Sequence, residues 1–436
     1  MKIFNLSLLL KRFPMKKAKE ELEKISKIND SDYGVFLSSK KNEIANFHLK
    51  YNSFYKSLVS NEFTSWEDLP ILTKKDFQRP LKERLSLNYS EKNVYINKTS
   101  GSSGNPFRFA KDKYSHAITW NYIIERFGWY GIDFNDSFQA RYYGIPLDTI
   151  DNKIVRLKDF LANRHRFSIL DLSEKALFKM LDLYKKKSFD YINGYTSSIV
   201  LFAKFLKENE IILKEVCPSL KVCIVTSEIL FEDDKKLLEN QLGVPVINEY
   251  GCSEVGVIAF TNPNDEWEVD SKTIYVEILD ENNKPLPYGE EGKIVITSLH
   301  NKAHPFIRYE VGDYGALSEK STLKKMILKK LIGRTNDFAL LPSGKKAAGM
   351  TFYVITKKIM EESGNLKEFK VTQTEIDTFE IDYVSDYELT NEKISSIEQT
   401  LIKFLEPGLK FNFNRKENLE RTPSGKLKQF VSLVNQ

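Results

Sequence analysis

The chain has 436 residues, of which 65 are basic and 60 acidic, so its formal net charge is +5. A hydrophobic share of 41% and a charged share of 29% exclude a disordered or collagen-like chain and favour a folded one. The near balance of charges gives no reason to expect a nucleic-acid partner, and the length predicts two or three domains.

Helix-like and strand-like stretches alternate through the first part of the chain, up to about residue 250. Helical patterns over Ser173–Lys187 and Ser197–Asn209 alternate with β-rich runs over Asp190–Asn193 and Leu220–Val225. This alternation is typical of a parallel sheet covered by helices. The sequence therefore predicts an α/β fold with a large N-terminal α/β domain.

A β-rich segment and a smaller α+β domain are predicted next. Ile274–Leu279 and Lys293–Leu299 are β-runs joined by a turn-rich connection, which predicts an antiparallel hairpin. The stretches that predict the smaller domain are Lys370–Tyr383, Asn391–Leu405 and Lys410–Asn414. With a break near residues 333–337, we expect domains of residues 1–333 and 334–436.

The most distinctive motif is KTSGSSGNPFR at Lys98–Arg108, which follows the strand-like Val94–Asn97. Glycines let a backbone turn tightly with its N–H groups pointing inward, and hydroxyls add donors, so such a loop suits a phosphate chain. A flexible Gly/Ser turn explains the motif equally well at this point. The motif differs from the phosphate loop of mononucleotide kinases, because no Lys-Ser/Thr pair follows its second glycine.

Four further clusters combine charged or aromatic residues with turn residues, and each has a purely structural explanation by itself. They are NEYGCSE at 248–254, IRYEVGDYG at 307–315, GRTND at 333–337 and RTPSGKLK at 421–428. Tyr250 can stack on a flat base, and Glu254 can supply the oxygen ligand that Mg²⁺ prefers. Asp313 is predicted to lie in a glycine-flanked turn, and Arg334 can clamp a phosphate or form an interdomain ion pair.

The cysteines and the N-terminus indicate the compartment. Cys217, Cys223 and Cys252 have no spacing typical of a disulfide framework or a structural zinc site, so we expect no zinc and a reducing compartment. The N-terminus is basic and briefly apolar but has no small-residue cleavage site. Since no apolar run approaches about 18 residues, we expect a cytoplasmic protein without a transmembrane segment. A basic N-terminal helix lying on a membrane surface stays open as an alternative.

In this order and spacing, the five clusters together resemble the core motifs of the adenylate-forming superfamily, which contains acyl-CoA synthetases and adenylation domains. The resemblance covers most of the chain. Within the superfamily, the chain is most similar to the phenylacetate-CoA ligase-like branch and particularly to the CapK proteins associated with capsular polysaccharide biosynthesis. The finer resemblance is carried by LPILTK at 69–74, NGYTSS at 193–198 and the compact length.

The resemblance implies a large domain and a smaller mobile domain, with ATP and Mg²⁺ as cofactors and CoA as a candidate third. The loop implied to hold the β- and γ-phosphates of ATP comprises Thr99, Ser100, Gly101, Ser102, Ser103 and Gly104. The other residues implied to bind the nucleotide are Glu228, Tyr250, Gly251, Ser253 and Asp313. The residues implied to be catalytic are Glu254, which also binds the metal ion, Arg334 and Lys426.

The implied reaction joins a carboxylic acid to the α-phosphate of ATP and releases pyrophosphate. Tyr250 stacks near the adenine, Asp313 accepts hydrogen bonds from the ribose hydroxyls, and Arg334 contacts the ribose or a phosphate. Lys426, in the small domain, reaches the carboxylate oxygen and the α-phosphate, where positive charge is needed because two anions meet. The acyl-adenylate then passes its acyl group to CoA, a carrier thiol or a sugar amine, after the small domain has rotated about a hinge at 333–337.

The sequence departs from the superfamily pattern at several positions. Phe107 stands where many members carry a lysine, Asn336 stands where an acidic hinge residue is common, and TSE at 226–228 replaces the usual Gly-Gly-Glu. The stretch 255–270 contains no Cys or His, unlike many phenylacetate-CoA ligases, which agrees with the expectation of no zinc. The histidines His300 and His304 precede or flank Pro305 and are predicted to be structural.

The leading hypothesis is an ATP-dependent carboxylate ligase of capsular or surface polysaccharide biosynthesis. The alternative is a catalytically degenerate scaffold of the same fold that binds nucleotide or partners in a polysaccharide assembly complex. The acid itself is not identified by the sequence. Arg141, Tyr142, Tyr195 and Thr196 are candidates for its pocket and equally for the core.

Overall fold

The computed structural model describes residues 3–59, 64–99, 107–143, 149–169, 172–334, 338–348, 366–421 and 427–434. The helices in these ranges are α1 Ile3–Leu10, α2 Met15–Ser26, α3 Asp30–Tyr51, α4 Ser53–Leu58, α5 Leu81–Arg84, α6 Lys113–Gly128, α7 Thr149–Leu161, α8 Glu174–Lys186, α9 Thr196–Glu208, α10 Leu213–Val216, α11 Glu232–Leu242 and α12 Asn391–Phe404. The strands are β1 Tyr95–Lys98, β2 Arg108–Lys111, β3 Gln139–Tyr142, β4 Arg164–Phe167, β5 Tyr191–Tyr195, β6 Val222–Thr226, β7 Val246–Cys252, β8 Gly256–Thr261, β9 Trp267–Val269, β10 Ile274–Leu279, β11 Gly292–Ser298, β12 Tyr309–Leu317, β13 Leu328–Arg334, β14 Phe338–Leu340, β15 Lys346–Ala348, β16 Leu366–Gln373, β17 Thr378–Ser385, β18 Lys410–Arg415 and β19 Phe430–Ser432.

The chain divides into two compact units. The large unit comprises Met1–Val311 and Gly315–Lys330, and the small unit comprises Gly312–Tyr314 and Leu331–Gln436. The division falls a few residues before the break expected at 333–337. The functions expected for the two parts, nucleotide binding in the first and a mobile catalytic lysine in the second, stay predictions.

A seven-stranded sheet in the order β4-β3-β5-β6-β7-β8-β9 forms the centre of the large unit. Strands β4, β3, β5, β6 and β7 run parallel, and helices connect each of them to the next along the chain. The predicted α/β fold with a helix-covered parallel sheet is therefore confirmed. The sheet is mixed, however, because β8 and β9 extend one edge in antiparallel orientation, which the alternation of helices and strands upstream does not reveal.

Alternate residues of the parallel strands point to opposite faces, and each face packs on its own set of helices. On one face, residues such as Ala140, Ile192 and Val225 pack in a core with α8, α9 and α11. On the other face, residues such as Tyr191 and Ile224 pack in a core with α2 and α6. The sheet is thus covered on both sides, as its fully buried central strands β5 and β6 require.

A second sheet, in the order β10-β11-β12-β13, follows the first. Its strands β10 and β11 pair antiparallel from Ile274 with Ser298 to Leu279 with Lys293, which confirms the predicted hairpin. The prediction that Asp313 lies in a turn is wrong, since Asp313 lies within β12. The neighbouring Gly312 has a φ of 84°, so glycine serves here as a left-handed position inside a strand rather than as a turn residue.

The small unit contains a four-stranded sheet in the order β18-β17-β16-β19. Strands β16 and β17 form an antiparallel hairpin, while β18 and β19 add to it in parallel orientation. Helix α12 begins after Thr390, whose hydroxyl accepts a hydrogen bond from Lys393 N, and it buries Ile397 and Leu401. This arrangement matches the predicted α+β character of the C-terminal part.

Two further findings concern the class of protein. Over the ranges given above, no helix combines the length and the apolar character needed to cross a membrane. Cys217, Cys223 and Cys252 all carry free thiols, and the first two are buried.

All five histidines are buried or half-buried, and we expect them to make the fold sensitive to acid. Burial lowers the pKa of each of them, to about 4 for His48, His165 and His300, to about 3 for His116 and well below the ordinary value for His304. Below pH 6.5 the unfolded chain therefore binds protons that the folded chain does not. Each such proton lowers the free energy of unfolding by about 1.4 kcal/mol per pH unit, so the melting temperature should fall steadily between pH 7 and pH 5.

The variant His165→Gln provides the control, because it removes one of these protons at a half-buried position. Its melting temperature should fall less steeply with acid than that of the wild type. Burial also raises the pKa of Asp270 to about 6, which offsets part of the slope because the folded state then binds a proton there. A melting temperature that is constant from pH 7 to pH 5 would contradict the burial of these imidazoles.

Candidate functional site

The Gly/Ser motif joins the two strands of a short hairpin. Strands β1 and β2 pair antiparallel from Tyr95 with Lys111 to Lys98 with Arg108. At the base of the loop, Thr99 N donates to Phe107 O at 3.0 Å, and Phe107 N donates to Thr99 Oγ1 at 3.1 Å. Thr99 is buried, so its side chain holds the base of the loop closed. The remaining candidates of the loop lie outside the described residues and stay predictions: Ser100, Gly101, Ser102, Ser103 and Gly104.

The NEYGCSE cluster lies mostly within a strand rather than in a strand-terminal turn. Strand β7 continues to Cys252 and pairs with β8, and only Ser253 and Glu254 lie in the turn between them. A Cβ at Gly251 would lie 2.4 Å from the carbonyl oxygen of Gly256, so the two strands approach closely only because residue 251 is glycine. This close pairing positions the turn that carries Glu254, while Ser253 is exposed beside it.

Glu254 is buried, and a tyrosine from the second sheet holds its carboxylate. The hydroxyl of Tyr309, in β12, donates to Glu254 Oε1 at 3.0 Å. Both side chains are less than a tenth exposed. A buried carboxylate needs such a donor because it has lost its hydration. Glu254 is thus fixed in position before any ligand binds.

Lys111, the last residue of β2, connects the hairpin to the same turn. Its ammonium group is buried and donates to Val255 O at 2.7 Å. Burial lowers the pKa of Lys111 to about 8, and electrostatic interactions with Cys252, Glu254 and Asp270 offset part of this shift. A cation and a carboxylate therefore meet at the turn that follows β7.

An aromatic cluster connects the base of the Gly/Ser loop to Tyr309. The ring of Phe77 lies 5.8 Å from that of Phe107, in a stacked arrangement, and 5.5 Å edge-on from that of Tyr309. The LPILTK stretch holds this cluster, since Leu72 N donates to Arg308 O at 2.9 Å and Leu72 O accepts from Glu310 N at 2.8 Å. Phe107 is thus a buried packing residue.

Glu228 and Tyr250 have clear structural partners. Glu228 Oε2 accepts a hydrogen bond from Ser197 N at 2.7 Å, so its carboxylate caps the N-terminus of α9. The carbonyl oxygen of Glu228 accepts a hydrogen bond from the hydroxyl of Thr196 at 3.2 Å. The ring of Tyr250 is buried, with the ring of Trp267 edge-on at 5.9 Å. The roles of Glu228 and Tyr250 beside a nucleotide stay predictions.

Of the residues proposed for an acid pocket, Tyr142 is a core residue. Its side chain is fully buried, and its hydroxyl lies 3.2 Å from that of Tyr184 in the core formed with α8 and α9. Arg141, the preceding residue, points to the other face of the sheet and is only half-buried. The side chain of Tyr195 packs at 4.7 Å from the ring of Tyr143.

For three further candidates, the described residues provide no contact with the turn that contains Glu254. Lys426 lies outside the described residues. Arg334 is the last residue of β13, but its side chain is outside the part of the chain that the structure describes. Asp313 belongs to the short stretch Gly312–Tyr314 of the small unit, where it is half-buried. Their roles, like those of Gly251, Ser253 and Glu254, stay predictions.

Sequence reasoning missed Lys111 and Tyr309. Lys111 binds a main-chain carbonyl 144 residues away, and Tyr309 binds a side chain 55 residues away. Neither contact leaves a pattern in the local sequence. The partner of Lys111 is a backbone carbonyl, which every residue has, and the position of Tyr309 depends on the pairing of Leu72 with β12.

The residues around Glu254 fit a divalent cation that arrives with phosphates. Among the described residues, no three His, Cys, Asp or Glu side chains are grouped to form a complete metal site. Mg²⁺ is commonly bound through one or two carboxylates together with water and the phosphates of a substrate. Glu254 supplies such a carboxylate, with Oε1 held by Tyr309.

No protein-family model matches the chain. The chain is 26% identical over 276 residues to the indoleacetate–lysine synthetase of Pseudomonas savastanoi. This alignment covers 62% of this chain and 64% of that protein. The chain is 30% identical over 131 residues to the phenylacetate-coenzyme A ligase of Aromatoleum evansii, which covers 28% of this chain and 29% of that protein. The chain thus spans less than two thirds of the length of either curated relative.

Solved structures establish the fold over almost the whole chain. The structure of 2-hydroxyisobutyryl-CoA ligase in the postadenylation state aligns with a TM-score of 0.70 and 14% identity, over 92% of this chain and 90% of that one. ATP-bound MatB from Rhodopseudomonas palustris aligns with a TM-score of 0.55 and 15% identity, over 79% of this chain and 68% of that one. At these identities the alignments concern the fold alone.

The variant Lys111→Met tests the buried cation of the site. The folded chain releases the proton of Lys111 near pH 8, whereas the unfolded chain releases it only near pH 10.5. The free energy of unfolding of the wild type should therefore rise by up to about 3 kcal/mol between these pH values. Replacing Lys111 by Met should remove this gain, which melting curves from pH 7.5 to pH 10 would show. Lys98→Met, an exposed position on the partner strand, is the control. Parallel curves for wild type and Lys111→Met would contradict the burial of the ammonium group.

Proposed function

Since this chain has the fold of the adenylate-forming ligase superfamily and its curated relatives are ligases of that superfamily, we propose that it is an ATP-dependent carboxylate ligase. It forms an acyl-adenylate and pyrophosphate from a carboxylic acid and ATP. The observation that carries this proposal is the fixed Glu254 carboxylate, which Tyr309 holds beside the hairpin of the Gly/Ser loop.

The described residues support a nucleotide site by three contacts. Thr99 and Phe107 close the base of the Gly/Ser loop, whose N–H groups and hydroxyls are the donors for the ATP phosphates. Lys111 holds the hairpin against the turn that contains Glu254. Glu254 would hold Mg²⁺ together with the phosphates, and the ion would supply positive charge for the leaving pyrophosphate.

The first step joins two anions, and the residues must compensate their repulsion. An oxygen of the acid attacks the α-phosphorus, the bond to the β-phosphate bridging oxygen breaks, and pyrophosphate leaves with the negative charge. In our proposal Lys426 contacts the attacking carboxylate and the α-phosphate, while Asp313 binds the ribose and Arg334 binds a phosphate or the ribose. Tyr250 lies against the adenine. Rotation of the small unit about residues 333–337 then removes Lys426 and admits the acceptor.

The acceptor is CoA, a carrier thiol or a sugar amine. The resemblance to CapK proteins supports a sugar amine and a role in capsular or surface polysaccharide biosynthesis. The similarity over 276 residues to the synthetase named for indoleacetate and lysine is consistent with an amine acceptor. The consumption of ATP agrees with the cytoplasmic location that the sequence predicts.

ATP–pyrophosphate exchange tests the proposal. We expect exchange that depends on the acid, measured over amino, hydroxy, aryl and dicarboxylic acids with Mg²⁺. Lys426→Ala should lower the exchange rate at least 100-fold while ATP still binds, because the lysine acts mainly in the transition state of the first step. Lys428→Ala, at an exposed position two residues further on, is the matched control and should exchange normally.

Three results would separate the alternatives. If Lys426→Ala reduced exchange and the transfer from a supplied acyl-adenylate equally, the role of Lys426 in the first step would be wrong. Stabilisation by ATP without exchange for any acid would favour the nucleotide-binding scaffold. A ligand at ~100 times its dissociation constant should add about 2.7 kcal/mol of stability, so the complete absence of stabilisation would reject a nucleotide site.

A further inference from the structure

Polar side chains lie together at the carboxyl ends of neighbouring parallel strands, where the sheet would otherwise present apolar residues. Arg141 is the last residue but one of β3, and Asn193 lies opposite it on β5. Thr226 ends β6, and Glu249 lies opposite it on β7. These positions alternate with core residues and therefore lie on the face that α2 and α6 cover further along the strands. In open α/β sheets, ligands bind outside the carboxyl ends of the strands.

Arg141 is half-buried, and its guanidinium has few hydrogen-bond partners. Its Nη1 donates to Gln139 Oε1 at 3.4 Å, which is a long hydrogen bond, and its guanidinium lies 4.0 Å from the ring centroid of Tyr143. Its Nε is buried and has no hydrogen-bond partner. Within the described residues no carboxylate forms an ion pair with it. A guanidinium has five N–H donors, so most of them are available to a ligand.

Neighbouring charges compensate Arg141 only in part, because two carboxylates attract its charge at a distance whereas two neighbouring arginines repel it. Arg166 lies opposite it on β4, and both Arg166 and Arg164 already pair with the carboxylate of Asp159. Glu249, three strands away in the other direction, forms a hydrogen bond with Thr226. Among the residues that the structure describes, three arginines thus face two carboxylates at this end of the sheet, and Arg141 is the one that forms no ion pair.

Other groups around Arg141 are arranged to support it. Asn193 Oδ1 accepts hydrogen bonds from Gln139 Nε2 and from the hydroxyl of Tyr143, each at 3.3 Å. Asn193 Nδ2 donates to Ile224 O at 3.2 Å. Gln139 and Tyr143 are therefore fixed by Asn193, and they in turn hold the guanidinium. A side chain that only packed in the core would not need this network.

We propose that the acid substrate carries a second anionic group and that Arg141 binds it, so that the enzyme acts on dicarboxylic acids or on acids with another oxyanion at their far end. This inference rests on the proposed function, since it assigns the acid of that reaction. A planar fork of N–H donors binds a carboxylate or a phosphate with two parallel hydrogen bonds. The oxyanion would supply the partner that Arg141 lacks.

The place of Arg141 in the sheet sets the length of the acid. Three strand spacings separate β3 from β7, whose following turn carries Glu254. At about 4.8 Å for each spacing, the two strands lie roughly 14 Å apart. The long side chain of Arg141 shortens this distance, so an extended acid is favoured over the shortest dicarboxylic acids.

Binding of matched acids to the full chain tests the inference without ATP. The probes are α,ω-dicarboxylic acids from succinic to sebacic acid, their monomethyl esters, and ω-phosphono acids of the same lengths, with dissociation constants measured by calorimetry. We expect a dicarboxylic or phosphono acid to bind roughly 10- to 100-fold more tightly than the monoester of the same length, as for the loss of one charged hydrogen-bonding partner. Whether the carboxylate or the phosphonate binds more tightly identifies the second group.

Two variants connect this preference to the arginine. Arg141→Gln should lose the preference for the second anion while binding the monoesters as before, and Arg141→Lys should keep part of it because the charge stays. Arg156→Gln, an exposed arginine of α7, is the control and should behave as the wild type. Circular dichroism and melting curves establish that each variant is folded.

The outcomes separate this inference from the proposed function. The inference is overturned if the wild type binds monoesters as tightly as diacids, if none of the probes binds, or if Arg141→Gln keeps the preference in the folded state. Acid-dependent pyrophosphate exchange together with any of these results would leave the ligase function and reject the second anion. Loss of diacid binding in Arg141→Gln, without exchange in the wild type, would support the anion site and reject the ligase.

Discussion

The buried carboxylate of Glu254 is the group on which the arrangement of the site depends. It has lost its water, so it must be compensated by donors and by positive charge. Tyr309 of β12 supplies the donor at 3.0 Å, and Lys111 of β2 supplies a cation whose ammonium group is bound to the next residue along the turn. These two contacts join the second sheet and the Gly/Ser hairpin to the end of β7. Three segments that are far apart in the chain thereby form one site.

The sequence was sufficient for the helix-covered parallel strands and for the β10–β11 hairpin, because apolar periodicity decides which stretches become buried strands and helices, but it did not reveal the antiparallel edge strands β8 and β9. The sequence was less informative at glycines, because a glycine can mark a turn, a left-handed residue within a strand or a close approach of two strands. The glycines around Asp313 indicated a turn, yet Gly312 adopts its positive φ within a strand, and Gly251 permits two strands to approach closely. Lys111 was missed for another reason, since its partner is a backbone carbonyl. Contacts of this kind depend on tertiary structure and leave no local pattern.

Tyr142 and Arg141 show how one strand places a core residue on one face of the sheet and a candidate binding residue on the other. They are consecutive, so the pleat sends Tyr142 into the core with α8 and α9 and Arg141 to the opposite face. There the guanidinium rests on Tyr143 and has a buried Nε without a partner. A nucleotide near Glu254 and an anion near Arg141 would occupy opposite ends of the same strand-end surface. The specificity for the acid would then come from the sheet itself, while the chemistry comes from the turn after β7.

The most direct test of adenylation follows the oxygen atoms of the acid. In the proposed reaction, an oxygen of the carboxylate forms a bond to the α-phosphorus, and the later attack of the acceptor on the acyl carbon leaves that oxygen on AMP. With an acid labelled with ¹⁸O in its carboxylate, mass spectrometry should therefore find one ¹⁸O atom in each AMP released. Unlabelled AMP, or label found in inorganic phosphate together with ADP, would contradict an acyl-adenylate intermediate.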